Sequence, residues 1–379
     1  MSQYDDFITQ IRSVAALITE NSASLEPAAR TLLSTPEIHG LRHIILTGSG
    51  DSYFAAAAVA PAMRGWTGLP VQAMTAMEAA RYVDHAAEPR SVGAKGLLVL
   101  PISYSGEAAR VVEATRRLRQ LGGLTAALTA NAQSRLGQAA ERQLDTRIAD
   151  STAAPGTRNY VASMIGLYLI AIRIAEVRIT ITMDQASALR KRMIALGGEI
   201  EGLAEQLQPQ AEDLMQRWQG LRSFDVLGAG PGMGSAGYTA AKLVEASGVH
   251  AAAQDMEEFH HLNYFVDRPE EIGTIAFAPS AAASQSRAVE LAETLRQLGR
   301  PHVFISDQPL GGETLVIPRV EDMFSPLVET IPAALLAAAA ARVRSATHYR
   351  GHSGAWAGAR GAGLIKDSKI VTLEEQQSC

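Results

Sequence analysis

The sequence predicts an α/β fold with two doubly wound parallel-sheet domains, related as repeats, and a C-terminal tail. Two observations carry this prediction. Short β-rich apolar runs are each followed by a glycine- or serine-rich turn and then by a helix-like stretch. Such alternation is typical of a parallel sheet that is covered by helices. The same plan appears in both halves of the 379-residue chain, which indicates an internal repeat.

Two strand–turn–helix units make up the first half. The first unit reads LRHIILTGSGDSYFAAAAVA and the second reads GLLVLPISYSGEAARVVEATRRLRQLG. Apolar positions at helical spacing precede them, close to the N-terminus. The predicted helices are 1–34, 53–63 and 108–121, and the predicted strands are 44–46, 97–101 and 126–128.

The second half repeats the plan after a polar, Glu- and Gln-rich stretch that we interpret as a helical connector. The segment SFDVLGAGPGMGSAGYTAAKLVEASG is again a strand, a glycine turn and a helix. Strands at 274–277 and 302–305 follow, with a helix at 287–298 between them. The predicted divisions are an N-terminal helical segment 1–34, a first domain 35–182, a connector 183–220, a second domain 221–345 and a tail 346–379.

The composition favours a well-packed globular protein. Hydrophobic residues make up 47% of the chain and charged residues 19%. The net charge is −5 without a basic run, so we expect no nucleic-acid partner, because binding phosphates requires clustered Lys and Arg. The run 331–343 is shorter than the roughly 20 apolar residues that span a bilayer. Since the N-terminus also has no apolar signal segment, we expect a cytoplasmic protein without a membrane partner.

The two first-half turns are candidate anion sites, because backbone N–H groups and the helix dipole converge where a helix follows a strand. The dinucleotide motif G-x-G-x-x-G and the G-K-[ST] of a Walker loop are absent from these turns. Hydroxyl groups suited to a monophosphate come instead from Ser49, Ser52, Ser103, Tyr104 and Ser105. Serine in such a turn is also an ordinary helix cap. Two serine turns at strand ends of one sheet favour a ligand crevice.

Acids and histidines are concentrated in the segment 255–261, DMEEFHH. It could be a solvated turn, a metal site or an acid–base site. His260 and His261 are adjacent, so their side chains diverge, and the HExxH spacing of zinc enzymes is absent. A metal site is therefore disfavoured. Cys379 is the single cysteine, which excludes a disulfide within the chain and a thiolate metal cluster.

The tandem units with SGDS and SYSGE turns resemble sugar isomerase (SIS) domains. From about residue 35 to 374, the chain resembles the isomerase half of glucosamine-6-phosphate synthase, without its glutaminase domain. We therefore expect that it cannot take ammonia from glutamine by itself. The resemblance places serines of both turns on the family's phosphate loop, and Thr157 near its A-S-T-K segment. The candidate phosphate-binding residues are Ser49, Ser52, Ser103, Tyr104, Ser105 and Thr157.

The second domain carries the residues that the resemblance makes catalytic. Glu245 and His261 lie 16 residues apart, as in that family. The resemblance implies that Glu245 moves a proton between C1 and C2, and that His261, donated by a neighbouring subunit, opens the sugar ring. It also implies that Glu258 supports them and that Lys369, in DSKIVTLEE, is the active-site lysine.

Two further residues are candidates for substrate binding. Lys242 lies on the same predicted helix as Glu245. His260 would take the place of His261 if the alignment shifted by one residue. Lys369 could form a Schiff base or stabilise a developing negative charge.

The expected activity is aldose–ketose isomerisation of a phosphorylated, or similarly anionic, sugar through an enediol. No metal or organic cofactor is needed, and a homodimer with a shared active site is expected. A deaminase of an amino-sugar phosphate and a deglycase of a fructosamine phosphate share the first steps, so residue types do not separate them. A sugar-phosphate sensor without activity is the alternative of another class, although a sensor has no need of a base.

Overall fold

The computed structural model divides the chain into two compact units. The first unit comprises Glu20–Ala149, Ala162–Ile194 and Arg350–Cys379, and the second comprises Met1–Thr19, Asp150–Val161 and Ala195–Tyr349. The residues that the structure describes are 2–83, 96–149, 154–348, 356, 358, 363–373 and 375. Cys379 and part of the predicted tail 346–379 therefore lie outside the described residues.

Each unit contains a five-stranded sheet in which every strand pair is parallel. The first sheet has the order β2-β1-β3-β4-β5 and the second has the order β10-β9-β8-β6-β7, so both follow one topology. The first-sheet strands are β1 His43–Gly48, β2 Val71–Thr75, β3 Leu97–Pro101, β4 Leu124–Thr129 and β5 Arg142–Asp145. The second-sheet strands are β6 Ser223–Gly228, β7 His250–Asp255, β8 Ile272–Phe277, β9 His302–Ser306 and β10 Glu313–Val316. The predicted α/β class with two related sheets is confirmed.

Helices connect the strands, as the strand–turn–helix pattern predicts. Those of the first part of the chain are α1 Gln3–Arg12, α2 Val14–Thr31, α3 Thr35–Gly40, α4 Asp51–Thr67, α5 Ala76–Arg81, α6 Ala109–Gln120 and α7 Arg135–Ala139. They are followed by α8 Arg158–Val177, α9 Met183–Glu199, α10 Leu203–Arg217, α11 Gly232–Ser247, α12 Gln285–Gln297, α13 Ser325–Val343 and α14 Gly363–Asp367. The stretch predicted as a helical connector, 183–220, contains α9 and α10.

The central strands are the apolar runs that the sequence shows. Every residue of β1 and of β3 is buried, because helices cover both faces of a parallel sheet. Strands β2, β5, β7 and β10 were not predicted. Each lies at a sheet edge and is only partly buried, so none of them appears as a continuous apolar run.

Two helical stretches are long and apolar enough to cross a membrane by length and composition. They are Arg158–Val177 and Asp322–Val343. The run 331–343, which the sequence predicts to be too short for a span, is only the second part of a longer helix that continues through Pro332. Burial accounts for their composition: 83% of the apolar window of the first and 94% of the second is inside the protein.

A buried carboxylate lies where α13 packs on α11. Glu329 of α13 is fully buried and accepts a hydrogen bond from the Ser235 hydroxyl of α11. Burial raises the pKa of Glu329 from 4.5 to about 7, because the charged form is poorly solvated in the interior. The folded protein therefore holds this proton at pH values at which the unfolded chain has released it.

Glu329 should make the free energy of unfolding fall as the pH rises from about 4.5 to about 7. In that window the folded state binds more protons than the unfolded state, and the full effect is roughly 3 kcal/mol. Glu329→Gln keeps a neutral acceptor for Ser235 and removes the titration. Urea denaturation from pH 5 to pH 8 should show the variant gaining stability over wild type as the pH rises, and exposed Glu270→Gln should show no such gain. A difference that is constant with pH would contradict the raised pKa.

Candidate active site

The two serine turns lie side by side at one edge of the first sheet. The order β2-β1-β3-β4-β5 reverses between β1 and β3, and these two strands pair in parallel from His43–Leu97 to Thr47–Pro101. The turn that enters α4 therefore meets the turn that follows β3 at the carboxyl ends of both strands. A reversal of this kind is where open α/β sheets bind ligands.

Glycine is required at two points of these turns. A Cβ on Gly48 would lie 2.7 Å from the backbone carbon of Ser52. Gly106 has a φ of +71°, and a Cβ there would lie 1.9 Å from the Ser134 hydroxyl oxygen. Both turns consequently bring backbone close to the strand ends, where their N–H groups can approach an anion.

The predicted hydroxyls differ in how far the protein uses them. Ser103 is buried and its hydroxyl oxygen accepts a hydrogen bond from the Gly106 N–H at 3.2 Å. The Tyr104 hydroxyl oxygen accepts one from the Ile148 N–H at 3.4 Å. Ser49 and Ser105 are exposed, although the Ser105 hydroxyl oxygen also accepts a hydrogen bond from the Glu107 N–H at 3.4 Å. Ser52 is half-buried in the first turn of α4. The structure thus brings these five residues to one edge, where Ser49 and Ser105 are the exposed ones.

The charges of the neighbouring residues suit an anion. Glu107, which ends the SYSGE turn, forms an ion pair with Arg135, with Nε and Oε2 2.9 Å apart. The backbone N–H of Arg135 also donates a hydrogen bond to this carboxylate at 3.2 Å. The acid in the motif is therefore bound to a cation of its own and repels a ligand anion less.

The second sheet carries an acid of its own at the equivalent edge. Ser280, after β8, donates to the Asp307 carboxylate through its N–H at 2.6 Å and through its hydroxyl at 2.5 Å. Burial acts to raise the pKa of Asp307, but these hydrogen bonds hold it below its usual value. An anion built into the chain already takes the donors that a phosphate would use there. The two repeats therefore differ in this respect.

Helix α11 presents Lys242 and Glu245 in one turn, as an ion pair. Lys242 is almost completely buried, whereas 44% of the Glu245 side chain is exposed. The ammonium of Lys242 lies 5.6 Å from the ring centroid of Tyr238, one turn earlier on the helix. A buried cation thus fixes the position of a carboxylate that a ligand can reach.

A tyrosine pair supports this helix. The rings of Tyr238 and Tyr160 stack with centroids 4.1 Å apart. The Tyr238 hydroxyl donates to Thr157 Oγ1 at 3.0 Å, and the Thr157 hydroxyl donates to the Pro155 carbonyl at 3.3 Å. Thr157 is fully buried. Its predicted role in phosphate binding remains a prediction, since both of these hydrogen bonds join it to protein groups of the second unit.

The two adjacent histidines have different surroundings. His261 is the more exposed, with 63% of its side chain accessible, and its Nε2 lies 3.2 Å from Glu257 Oε1. His260 is half-buried beside Phe259, with Nε2 3.3 Å from Thr294 Oγ1. Burial lowers the pKa of His260, which favours the neutral ring. Of the two, His261 is the ring that a ligand can approach.

In the part of the chain that the structure describes, Glu257 is the hydrogen-bond partner of the His261 side chain. The hydrogen bond from His261 is the main cause that lowers the pKa of Glu257, and Arg287 Nε lies 2.6 Å from the same carboxylate. Glu258 begins a short 3-10 turn, Glu258–His260, and is exposed. Lys369 is 75% exposed, with Nζ 3.4 Å from Glu375 Oε1.

Comparison with known proteins identifies the first sheet and its turns. Residues 37–173 match the family described as the SIS domain. Residues 37–173 form a SIS domain. The match includes both serine turns of the SIS domain, and the identical strand order of the second sheet repeats its topology.

Relatives with similar sequences or structures are sugar-phosphate enzymes by name. A glutamine–fructose-6-phosphate aminotransferase (isomerizing) from Acidithiobacillus ferridurans is 28% identical over 308 residues, which cover 79% of this chain and 49% of the relative. The chain spans about half the length of the curated relatives it matches. The C-terminal domain of glucosamine-fructose-6-phosphate aminotransferase from Francisella tularensis has a TM-score of 0.77 at 19% identity, covering 88% of this chain and 97% of that chain.

A second solved structure agrees on the fold. Tagatose-6-phosphate ketose/aldose isomerase from Escherichia coli has a TM-score of 0.67 at 16% identity, covering 92% of this chain and 95% of that chain. At these identities the two solved structures establish a shared fold.

Several residues that support the candidate site residues were not identified from the sequence. Tyr238 and Tyr160 are 78 positions apart in the chain, and no local motif links them. Asp307 follows a strand that the sequence predicts, but its bond to Ser280 depends on the pairing of β8 with β9. Glu257 was visible as an acid four residues before His261, a spacing that permits contact on a helical turn.

Proposed function

We propose that the protein is an aldose–ketose isomerase of a phosphorylated sugar. The observation that carries the proposal is the Lys242–Glu245 pair: a carboxylate accessible to a ligand and fixed by a buried ammonium. Isomerisation needs one base that removes a proton from C2 of an open-chain aldose and returns it to C1. A carboxylate held in one position satisfies that need, since proton transfer depends on geometry before it depends on pKa.

The serine turns support a phosphate as the anionic group. Accessible hydroxyls, backbone N–H groups and the N-terminus of α4 meet at the strand reversal of the SIS domain. The names of the relatives, which specify fructose 6-phosphate and tagatose 6-phosphate, agree with such a substrate. A phosphate remote from C1 and C2 would contribute binding energy that fixes the register of the reacting carbons.

The remaining residues take the roles that the reaction leaves open. His261, the exposed ring, would protonate the ring oxygen while the sugar opens, with Glu257 orienting the imidazole. Lys369, also exposed, would stabilise the negative charge on the enediolate oxygen. Glu258 and His260 would support this segment. None of these steps draws on a metal or an organic cofactor.

We further propose a cytoplasmic homodimer in which a neighbouring copy donates His261. The burial of both long apolar helices supports a soluble protein. The family resemblance supports the dimer. Three exposed side chains that come after His261 in the chain provide apolar surface in the same segment: Leu262, Tyr264 and Phe265.

Proton NMR in D2O tests the reaction type directly. The panel is fructose 6-phosphate, glucose 6-phosphate, glucosamine 6-phosphate, a fructosamine 6-phosphate and 6-sulfo sugars. We expect deuterium at C1 or C2 together with aldose–ketose conversion and no amine. Release of ammonia or an amino acid would identify a deaminase or a deglycase, which use the same base. Tight binding of one sugar without any exchange would contradict catalysis and identify a sensor.

Glu245→Gln should slow the reaction strongly and spare binding. Replacing a positioned base typically costs about 10²- to 10⁴-fold in rate, whereas the amide is isosteric and stays next to Lys242. We expect kcat to fall by that factor, with substrate affinity measured by calorimetry changing less than threefold. Glu270→Gln, an exposed acid of the same unit, is the matched control. Full activity of Glu245→Gln would remove Glu245 from the mechanism.

A further inference from the structure

A buried charge cluster lies on α6, in the first unit. The Glu113 side chain is fully buried and pairs with Arg110 and with Arg81, whose Nε is 2.8 Å from Oε1. Arg117 Nε lies 3.8 Å from the same carboxylate. Three guanidiniums around one carboxylate leave an excess of positive charge, which is costly at a largely buried site unless further acceptors compensate it.

The C-terminal tail supplies those acceptors, mostly from its backbone. Arg110 Nη2 donates to the Lys369 carbonyl at 2.9 Å and to the Ser368 hydroxyl at 2.6 Å. Arg117 donates to the carbonyls of Val371 at 2.8 Å and Thr372 at 2.9 Å. Three of these four contacts are to main-chain carbonyls, so they define where the tail lies.

The same cluster also binds an N–H group of the tail. Glu113 Oε2 accepts a hydrogen bond from the Val371 N–H at 3.0 Å. The contacts follow one direction, since Arg110 meets residues 368–369 and Arg117 meets residues 371–372. From Arg110 to Arg117 a helix advances about 10.5 Å, and three residues of extended chain advance about 10 Å. The spacing of the two arginines on α6 therefore matches the length of three residues of extended chain.

This docking leaves the side chain of Lys369 exposed while its carbonyl is held. We propose that Arg110, Glu113 and Arg117 are positioning residues that hold the tail on α6 and thereby place the Lys369 ammonium for catalysis. The inference rests on the proposed function for the role of Lys369. The docking itself rests on the contacts of α6.

Hydrogen exchange tests the docking without any substrate. Arg110→Met removes both contacts next to Lys369, and Arg116→Met removes an exposed arginine of the same helix as a control. In Arg110→Met we expect the amide of Val371 to exchange about tenfold faster or more, because hydrogen bonds to charged groups are lost. Arg116→Met should exchange as wild type. Unchanged exchange in Arg110→Met would overturn the docking.

A double-mutant cycle with Lys369→Met tests the positioning. If Arg110 acts through Lys369, Arg110→Met lowers kcat by about tenfold or more with KM little changed. The double variant is then no slower than Lys369→Met alone. Losses that multiply would show that Arg110 has a merely structural role and would overturn the inference.

Val371→Pro provides the second variant, should Arg110→Met fail to fold. It deletes the N–H that donates to Glu113 and leaves α6 intact. The same loss of kcat, again without further loss in combination with Lys369→Met, is expected, and a fully active Val371→Pro would contradict the inference. If wild type converts none of the sugars, the proposed function fails, and amide exchange alone still decides whether α6 holds the tail.

Discussion

Parallel pairing of the first and third strands of each sheet determines where this protein can bind a ligand. In both sheets the chain order reverses between those two strands, β1 and β3 in one and β6 and β8 in the other. The turns at their carboxyl ends are therefore adjacent. The helices that follow start at this edge, so their dipoles point the same way.

The two repeats share one topology but differ in a few polar side chains. The SIS domain has serine hydroxyls at its reversal and a Glu107 already paired with Arg135. The second sheet has Asp307 bonded to the hydroxyl and the N–H of Ser280. Its helix α11 instead carries the Lys242–Glu245 pair, supported through Tyr238. In the proposed function, one repeat binds the anion and the other carries out the proton transfer.

Burial decided which strands could be predicted from the sequence. Central strands such as β3 are apolar throughout because both faces are covered, and they were found. The edge strands β2 and β10 contain both buried and exposed residues, so they show no continuous apolar run in the sequence. The positions of Ser105 and Glu245 were accessible from local motifs and the family resemblance. The pairs Tyr238–Thr157 and Arg110–Lys369 were not, because each joins segments that only the fold brings together.

A crystal structure with a hexitol 6-phosphate, which cannot isomerise, would test the difference between the repeats most directly. We expect the phosphate to lie against residues 48–52 and 102–106, within reach of Ser49, Ser52 and Ser105. Phosphate bound instead at residues 228–232, or displacing Asp307 from Ser280, would contradict it. The SIS domain would then not be the anion-binding repeat.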